Sequence, residues 1–247
     1  MTDFTLSNYT AIIFDLDSTL INTHRYPLRA SMWILEKITD DVEAIADEYL
    51  QHLIRNYRKG IQEVAEGAEY RKPFDVVKRA IKESMTAMNI DIDDALLEEG
   101  THLFRWLHVE TSEVYPGVEE LLIALKERGM KIGVVTNGFE KHIQIILSKL
   151  NLLHYFASMV DGGDVKAFKP MALPFQRAMD NLGVGPKETL FVGDEYFADI
   201  VGSTSLGIDA VWVKSRGGNL DEMVAKYGES SRPKLVVDST AELAQYL

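Results

Sequence analysis

The sequence predicts an α/β protein with a doubly wound parallel sheet and an inserted all-α domain. Short apolar runs, each the length of a strand buried on both faces, alternate with amphipathic helical stretches along most of the 247 residues. The alternation breaks once, between residues 22 and 115, where helical spacing continues without a strong strand pattern. We therefore expect residues 1–21 and 116–247 to form a Rossmann-like core, and residues 22–115 to form a separate helical domain.

The opening strand, Ala11 to Phe14, runs directly into two acids, Asp15 and Asp17. Side chains two residues apart on extended backbone point the same way, so both carboxylates project from the carboxyl end of the strand. Ligands of open α/β sheets bind at that end. Two neighbouring acids repel each other and need a reason to coexist, either a bound divalent cation or a proton that one acid keeps. Both alternatives predict chemistry at this strand end.

Helical patterns fill the insert. A polar segment, Asn22 to Leu28, leaves the first strand, and apolar residues then recur at helical spacing as far as Tyr57. Pro73 lies near the start of a further helix, and the acidic turn Asp91 to Asp94 can cap the helix after it. The chain returns to the core at Tyr115-Pro116-Gly117, a turn signal.

The second half of the chain repeats strand and helix in turn. We predict helices over residues 118–128, 141–150, 174–182 and 198–207. We predict strands over residues 131–136, 156–160, 190–192 and 210–213, and an edge strand at 234–237. Because the connections are short and the two patterns alternate, these strands are expected to join one parallel sheet.

Polar residues stand at the ends of the later strands. A small hydroxyl and a turn, Thr136-Asn137, follow the second strand, and Gly193-Asp194 ends a third, with Asp199 five residues on. Lys169 precedes Pro170, which disfavours helix in the residue before it, so we expect this lysine in a loop. Lys166 lies nearby and is an alternative candidate for the lysine of the site. The carboxyl ends of parallel strands share one edge of a sheet, so these groups are candidates for a common site.

In this order, the segments resemble the haloacid dehalogenase superfamily. The family pattern is Asp-x-Asp-x-Thr, then Thr or Ser after an apolar strand, then Lys (often Lys-Pro), then Gly-Asp followed by a further Asp. Here it reads Asp15-Leu-Asp17-Ser-Thr19, Thr136-Asn-Gly, Lys169-Pro170 and Gly193-Asp194 with Asp199. One such motif is weak, but four in order, three of them at strand ends, are a strong signal. The resemblance covers most of the chain outside the insert, where the family places a mobile helical cap.

The resemblance implies a phosphatase that works through an aspartyl-phosphate. Asp15 is expected to attack phosphorus, and Asp17 to act as general acid and base. Relatives that displace halide typically lack an acid at the position of Asp17, so this residue favours phosphoryl transfer. Mg²⁺ is the expected cofactor, with Asp15, Asp17 and Asp194 at the metal. Asp199 stays open as a ligand, an acceptor behind the ligands or a helix cap.

The same resemblance assigns groups to the substrate. The Thr136 hydroxyl and the Asn137 N–H are expected to donate to the phosphoryl group, and Lys169 to clamp the phosphate and balance the acids. His24 and Arg25 lie just past the catalytic loop and are expected to reach the other end of the substrate.

Composition narrows the function further. A net charge of −12 argues against nucleic-acid and membrane-surface partners. The expected partner, a small phosphate ester, is what the resemblance implies. The chain has no cysteine, which excludes disulfides, a thiol nucleophile and a thiolate metal site. The first residues lack the pattern of a signal peptide and no apolar run is long enough to span a membrane, so we expect a cytoplasmic protein. The sequence does not specify an oligomeric state.

Three alternatives stay open. A phosphomutase would share the aspartyl-phosphate but return the phosphoryl group to its substrate. A 2-haloacid dehalogenase would need neither Mg²⁺ nor Asp17. A catalytically silent binding module is disfavoured by the full set of Asp15, Asp17, Lys169 and Asp194.

Overall fold

The computed structural model describes residues 4–247, which divide into two compact units. The core unit consists of the chain up to Asn22 together with Glu113–Leu247, and the helical unit is Thr23–Ser112. The helical unit is shorter at each end than the predicted domain of residues 22–115. The reason is local pairing, since the residues on either side of it form strands within the core unit.

A six-stranded parallel sheet forms the centre of the core unit, which confirms the predicted fold class. Its strands are β1 (Ala11–Phe14), β4 (Lys131–Thr136), β5 (Ser158–Asp161), β6 (Thr189–Gly193), β7 (Asp209–Val213) and β8 (Leu235–Val237). The spatial order is β5-β4-β1-β6-β7-β8, and each pair of neighbours is parallel. Two short strands, β2 (Ile21–Asn22) and β3 (Glu113–Val114), form a separate antiparallel ribbon.

Strand β1 lies in the middle, between β4 and β6. Its last residue, Phe14, is in register with Val134 on one side and Val192 on the other. All residues of β1 are fully buried. This agrees with its unbroken apolar run, which is typical of a central strand covered on both faces. The chain crosses to opposite sides of β1 for the strands that follow, so the strand order reverses here. Open α/β sheets bind ligands at such a reversal, beyond the carboxyl ends of the strands.

The helical unit contains four helices among its described residues: α1 (Arg25–Leu35), α2 (Val42–Ala65), α3 (Pro73–Ala87) and α4 (Asp94–Glu110). Helix α3 begins with proline, and α4 is capped by Asp93, whose carboxylate accepts the N–H groups of Ala95 and Leu96 at 2.9 Å. Gly60 lets α2 approach α3, because a Cβ there would lie 2.9 Å from Val76. Within residues 4–247, no helix combines the length and apolar character needed to cross a membrane.

Helices of the core unit cover the sheet. They are α5 (Val118–Glu127), α6 (His142–Lys149), α7 (Gly162–Val165), α8 (Ala172–Leu182), α9 (Gly202–Ser205) and α10 (Leu220–Tyr227). Phe175 of α8 meets Phe191 of β6 edge to face, with ring centroids 5.0 Å apart, beside buried Ile13 and Val135. Burying one such aromatic side chain is worth about 1.5–3 kcal/mol, so this cluster ties α8 to the strands that carry the polar ends.

Two local predictions needed correction, and one pair of strands was not predicted. Strand β5 begins at Ser158 and not at residue 156, because Phe156 ends a 3₁₀ turn over Leu153–Tyr155. The segment predicted as a helix over residues 198–207 starts as a π-helical turn, Tyr196–Val201. The strands β2 and β3 were not predicted, since two residues are too few to show a periodic pattern.

Candidate active site

Three carboxylates meet at the carboxyl edge of the sheet. Asp15 follows β1, Asp194 follows β6, and Asp199 lies in the π-helical turn beyond it. One carboxylate oxygen from each residue lies within 4.8 Å of the other two, and all three side chains are buried. The strand register therefore brings together groups that are 184 residues apart in the chain, counting from Asp15 to Asp199.

Lys169 lies among these acids. Its Nζ is 2.5 Å from Asp15 Oδ1 and 2.6 Å from Asp199 Oδ1, and the residue is only 2% exposed. Asn137 fixes the lysine's backbone, since its side chain accepts the Lys169 N–H at 2.8 Å and donates to the Lys169 carbonyl at 2.9 Å. Lys166, the rival in the sequence, is exposed at the end of α7. Lys169 is thus the lysine that reaches the carboxylates.

Asp17 lies beside Thr136. The Thr136 hydroxyl donates to Asp17 Oδ2 at 3.2 Å and accepts the Gly138 N–H at 3.0 Å. This joins the loop after β1 to the turn after β4, as the predicted common site requires. The carboxylate of Asp17 is outside the three-carboxylate group, in which Asp199 takes the third place.

Burial and charge shift the acidities in opposite directions. Burial raises the pKa of Asp15 well above its ordinary value, and the Lys169 ammonium opposes that shift. Burial likewise raises the pKa of Asp194 to about 7, against the opposing charge of Arg216. Burial alone would lower the pKa of Lys169, but the charges of Asp15 and Asp199 more than reverse this, so its pKa is raised. Lys169 therefore stays a cation. Burial disfavours the ionised forms of Asp15 and Asp194, and the nearby positive charges partly offset this effect.

Strand β7 and the segment after it supply residues that the sequence analysis missed. Arg216 Nε is 2.5 Å from Asp194 Oδ2, and Trp212 Nε1 donates to the Asp194 carbonyl at 3.0 Å. Ser215 Oγ donates to the carbonyl of Ser18 at 3.1 Å. Ser18 has φ of 63°, a left-handed conformation that costs energy outside glycine, so this hydrogen bond helps to hold it. The available signal was position, because the segment follows an apolar strand at the same sheet edge as Asp15 and Asp194.

Asp199 has a definite place behind the site. Its Oδ2 accepts the Glu195 N–H at 2.9 Å while its Oδ1 pairs with Lys169. The carboxylate fits against Gly193, where an added Cβ would lie 2.4 Å from Asp199 Cγ. Gly193 is therefore needed for close approach of the Asp199 side chain.

Gly193→Ala is expected to lower the free energy of unfolding by about 1–3 kcal/mol, because the new methyl group must displace Asp199. Urea denaturation would measure this change. Gly185→Ala is the matched control, since its Cβ would meet no atom closer than 3.5 Å. Equal stability of the two variants would contradict the close fit of Asp199 under Gly193.

His24 and Arg25 lie outside the core unit. Both are exposed at the start of α1, as the N-cap residue and the first residue of that helix. The geometry of the core unit brings together Asp15, Asp17, Thr136, Asn137, Lys169 and Asp194. A role for His24 and Arg25 in binding substrate stays a prediction.

Buried acids paired with a lysine therefore lie at the reversal point of a parallel α/β sheet, where such sheets bind ligands. A family model described as haloacid dehalogenase-like hydrolase matches residues 12–213. The chain belongs to this family of hydrolases, which confirms the resemblance seen in the motifs.

Individual proteins similar to this chain include phosphatases and dehalogenases. The pyrophosphatase PpaX of Bacillus mycoides is 30% identical, covering 96% of this chain and 95% of its own. The glyceraldehyde 3-phosphate phosphatase of Methanothermobacter thermautotrophicus is 26% identical, covering 83% and 85%. The structure of L-2-haloacid dehalogenase from Xanthobacter autotrophicus, with chloropropionic acid covalently bound, aligns at a TM-score of 0.69 over 96% of this chain and 97% of its own. At 18% identity this last likeness concerns the fold alone.

Proposed function

We propose that the protein is a Mg²⁺-dependent phosphatase that hydrolyses a small phosphorylated metabolite through an aspartyl-phosphate on Asp15. One observation carries the proposal: the buried Asp15 carboxylate is paired with Lys169 and lies within 4.8 Å of carboxylate oxygens of Asp194 and Asp199. Burying like charges together is unfavourable, so such a cluster is most simply explained by chemistry. The predicted cytoplasmic location is part of the proposal, and cell fractionation would test it.

In the first half of the reaction, an Asp15 oxygen forms a bond to phosphorus while the bond from phosphorus to the substrate's oxygen breaks. Lys169 orients Asp15 through the 2.5 Å contact. The Lys169 ammonium donates to Asp15 Oδ1 and forms an ion pair with Asp199 Oδ1 at 2.6 Å. An ammonium group has three N–H donors, so Lys169 can also donate to a phosphoryl oxygen. Asn137, which holds the Lys169 backbone, is expected to add its own N–H.

Asp17 is the proposed proton carrier. It gives a proton to the departing oxygen, and then takes one from the water that attacks the aspartyl-phosphate and restores the Asp15 carboxylate. The hydrogen bond from Thr136 at 3.2 Å holds the Asp17 carboxylate in one orientation. The presence of Asp17 supports phosphate ester hydrolysis over halide displacement, because halide leaves without a proton. The names of the two curated relatives described above, both phosphatases, support the same choice.

The residues present fit a magnesium ion. Within this site the carboxylates of Asp15, Asp17, Asp194 and Asp199 face two cations, Lys169 and Arg216. With all four acids ionised, the negative charges exceed the positive ones by two, and a divalent cation would neutralise this excess. Asp15 and Asp194 would supply the hard oxygen ligands that Mg²⁺ prefers, together with Asp17 as predicted. When bound, the ion would supply neutralisation of charge on the phosphoryl oxygens.

Removal of metal should stop turnover. We expect EDTA treatment followed by dialysis to reduce hydrolysis of p-nitrophenyl phosphate to background, and added MgCl₂ to restore it, because the phosphoryl charge is otherwise unbalanced. Phosphate release, measured against the second product, gives the check on reaction type. Equal amounts of free phosphate and alcohol support a phosphatase, whereas transfer without free phosphate would indicate a phosphomutase. A rate unaffected by EDTA would contradict the metal requirement.

Substrate choice is proposed to come from the helical unit, acting as a cap. His24 and Arg25 are exposed polar residues at the start of α1, and they are the proposed contacts to the non-phosphate end of the substrate. Screening the purified protein against a panel of phosphorylated metabolites would test this. A substrate profile unchanged by His24→Ala and Arg25→Ala would remove both residues from the proposal.

A further inference from the structure

Arg216 makes two polar contacts that reach both halves of the site. Its Nε is 2.5 Å from Asp194 Oδ2, and its Nη2 donates to Ser18 Oγ at 3.0 Å. The Arg216 side chain is 44% exposed, whereas that of Asp194 is 2% exposed. The guanidinium can therefore leave the carboxylate by moving toward solvent, without opening the core.

The backbone around Arg216 is held independently of this ion pair. Ser215 donates to the Ser18 carbonyl at 3.1 Å, and Trp212 donates to the Asp194 carbonyl at 3.0 Å. Gly217 and Gly218 follow with φ of 75° and 114°, conformations that suit glycine and turn the chain. The Arg216 side chain is thus presented to Asp194 by a segment that does not need the ion pair for its own position.

The guanidinium and a divalent cation make opposing demands on Asp194. Both groups are positive and both bind carboxylate oxygen. A divalent cation at Asp194 would therefore repel Arg216, and it would compete with Arg216 for the same carboxylate. Two like charges a few ångströms apart in a partly buried site repel strongly, so even partial competition is measurable.

We propose that Arg216 is a positioning residue that competes with the divalent cation for the Asp194 carboxylate, holding Asp194 in place when the cation is absent and releasing it when the cation binds. This rests on the proposed function in one respect, that Asp194 is a ligand of Mg²⁺. Arg216 sets the Mg²⁺ concentration at which the site fills, and it is separate from the groups proposed to act on phosphorus.

The test is titration of MgCl₂ into metal-free protein by isothermal titration calorimetry. Arg216→Gln, which removes the charge, is expected to bind Mg²⁺ about tenfold more tightly than the parent. Arg216→Lys, which keeps the charge, is expected to bind within about threefold of the parent affinity. Arg232→Gln is the matched control, because Arg232 pairs with Glu229 on the surface of the same unit, and its affinity should equal that of the parent.

Thermal unfolding gives a second readout. Without metal, Arg216→Gln should melt below the parent, because Asp194 has lost its cation, and saturating Mg²⁺ should remove the difference. Unchanged or weaker Mg²⁺ binding by Arg216→Gln would overturn the competition while leaving the proposed phosphatase intact, provided the parent binds Mg²⁺. If neither protein binds Mg²⁺, the competition and the metal part of the proposed function both fail.

Discussion

Asp15→Asn is expected to lower the turnover number for p-nitrophenyl phosphate by about a thousandfold or more. The amide is nearly the same shape as the carboxylate but is a poor nucleophile, so the aspartyl-phosphate cannot form. The fold should persist, because Lys169 keeps its second partner, Asp199 Oδ1, at 2.6 Å. Steady-state kinetics measure the loss, and circular dichroism checks the fold.

Asp180→Asn is the matched control for this variant. Asp180 is an exposed aspartate on α8, so the same chemical change there should leave the rate unaltered. Trapping offers a second measurement, since the parent stopped in acid during turnover should carry phosphate on Asp15 and the variant should not. An Asp15→Asn protein that retains the parent rate would remove Asp15 from its proposed role.

Lys169→Met is expected to cost both activity and stability. Methionine fills a similar volume but leaves the buried carboxylates of Asp15 and Asp199 without their cation. Removing one partner from a buried ion pair typically costs about 3–5 kcal/mol. Urea denaturation in EDTA would measure the loss, and Lys187→Met, at an exposed lysine of the same unit, is the control.

The deficit of Lys169→Met should depend on pH. Burial already raises the pKa of Asp15, and Lys169 is the cation that opposes the shift, so its loss raises that pKa further. The pKa of a carboxyl in the unfolded chain is about 3.9. When folding raises this pKa, the group stabilises the fold at pH below the unfolded pKa, and this stabilisation is lost as the pH rises through the folded-state pKa. The parent should therefore exceed the variant by more at pH 8 than at pH 5. A gap that is constant between these values would contradict charge as its cause.

Much of the fold was readable because its signals are local. The run from Ala11 to Phe14 is apolar at each position, which is what a strand buried on both faces requires. Pro73 and Asp93 mark helix starts through their own backbone and side-chain chemistry. The start of β5 and the π-helical turn at Tyr196–Val201 were missed. In both places the packing of surrounding elements sets the backbone conformation of a few residues, and so short a segment shows no periodic pattern of its own.

The sequence by itself determined the α/β class, the helical insert and the family, because strand periodicity and four ordered motifs are properties of neighbouring residues. It also predicted four residues of the candidate site, because each lies beside a recognisable strand end or turn: Asp15, Asp17, Thr136 and Lys169. Only the tertiary structure decided that Arg216 pairs with Asp194 and that Asp199 shares Lys169 with Asp15. These contacts join residues that are distant in the chain, and packing of strands and loops sets which long side chain reaches which carboxylate.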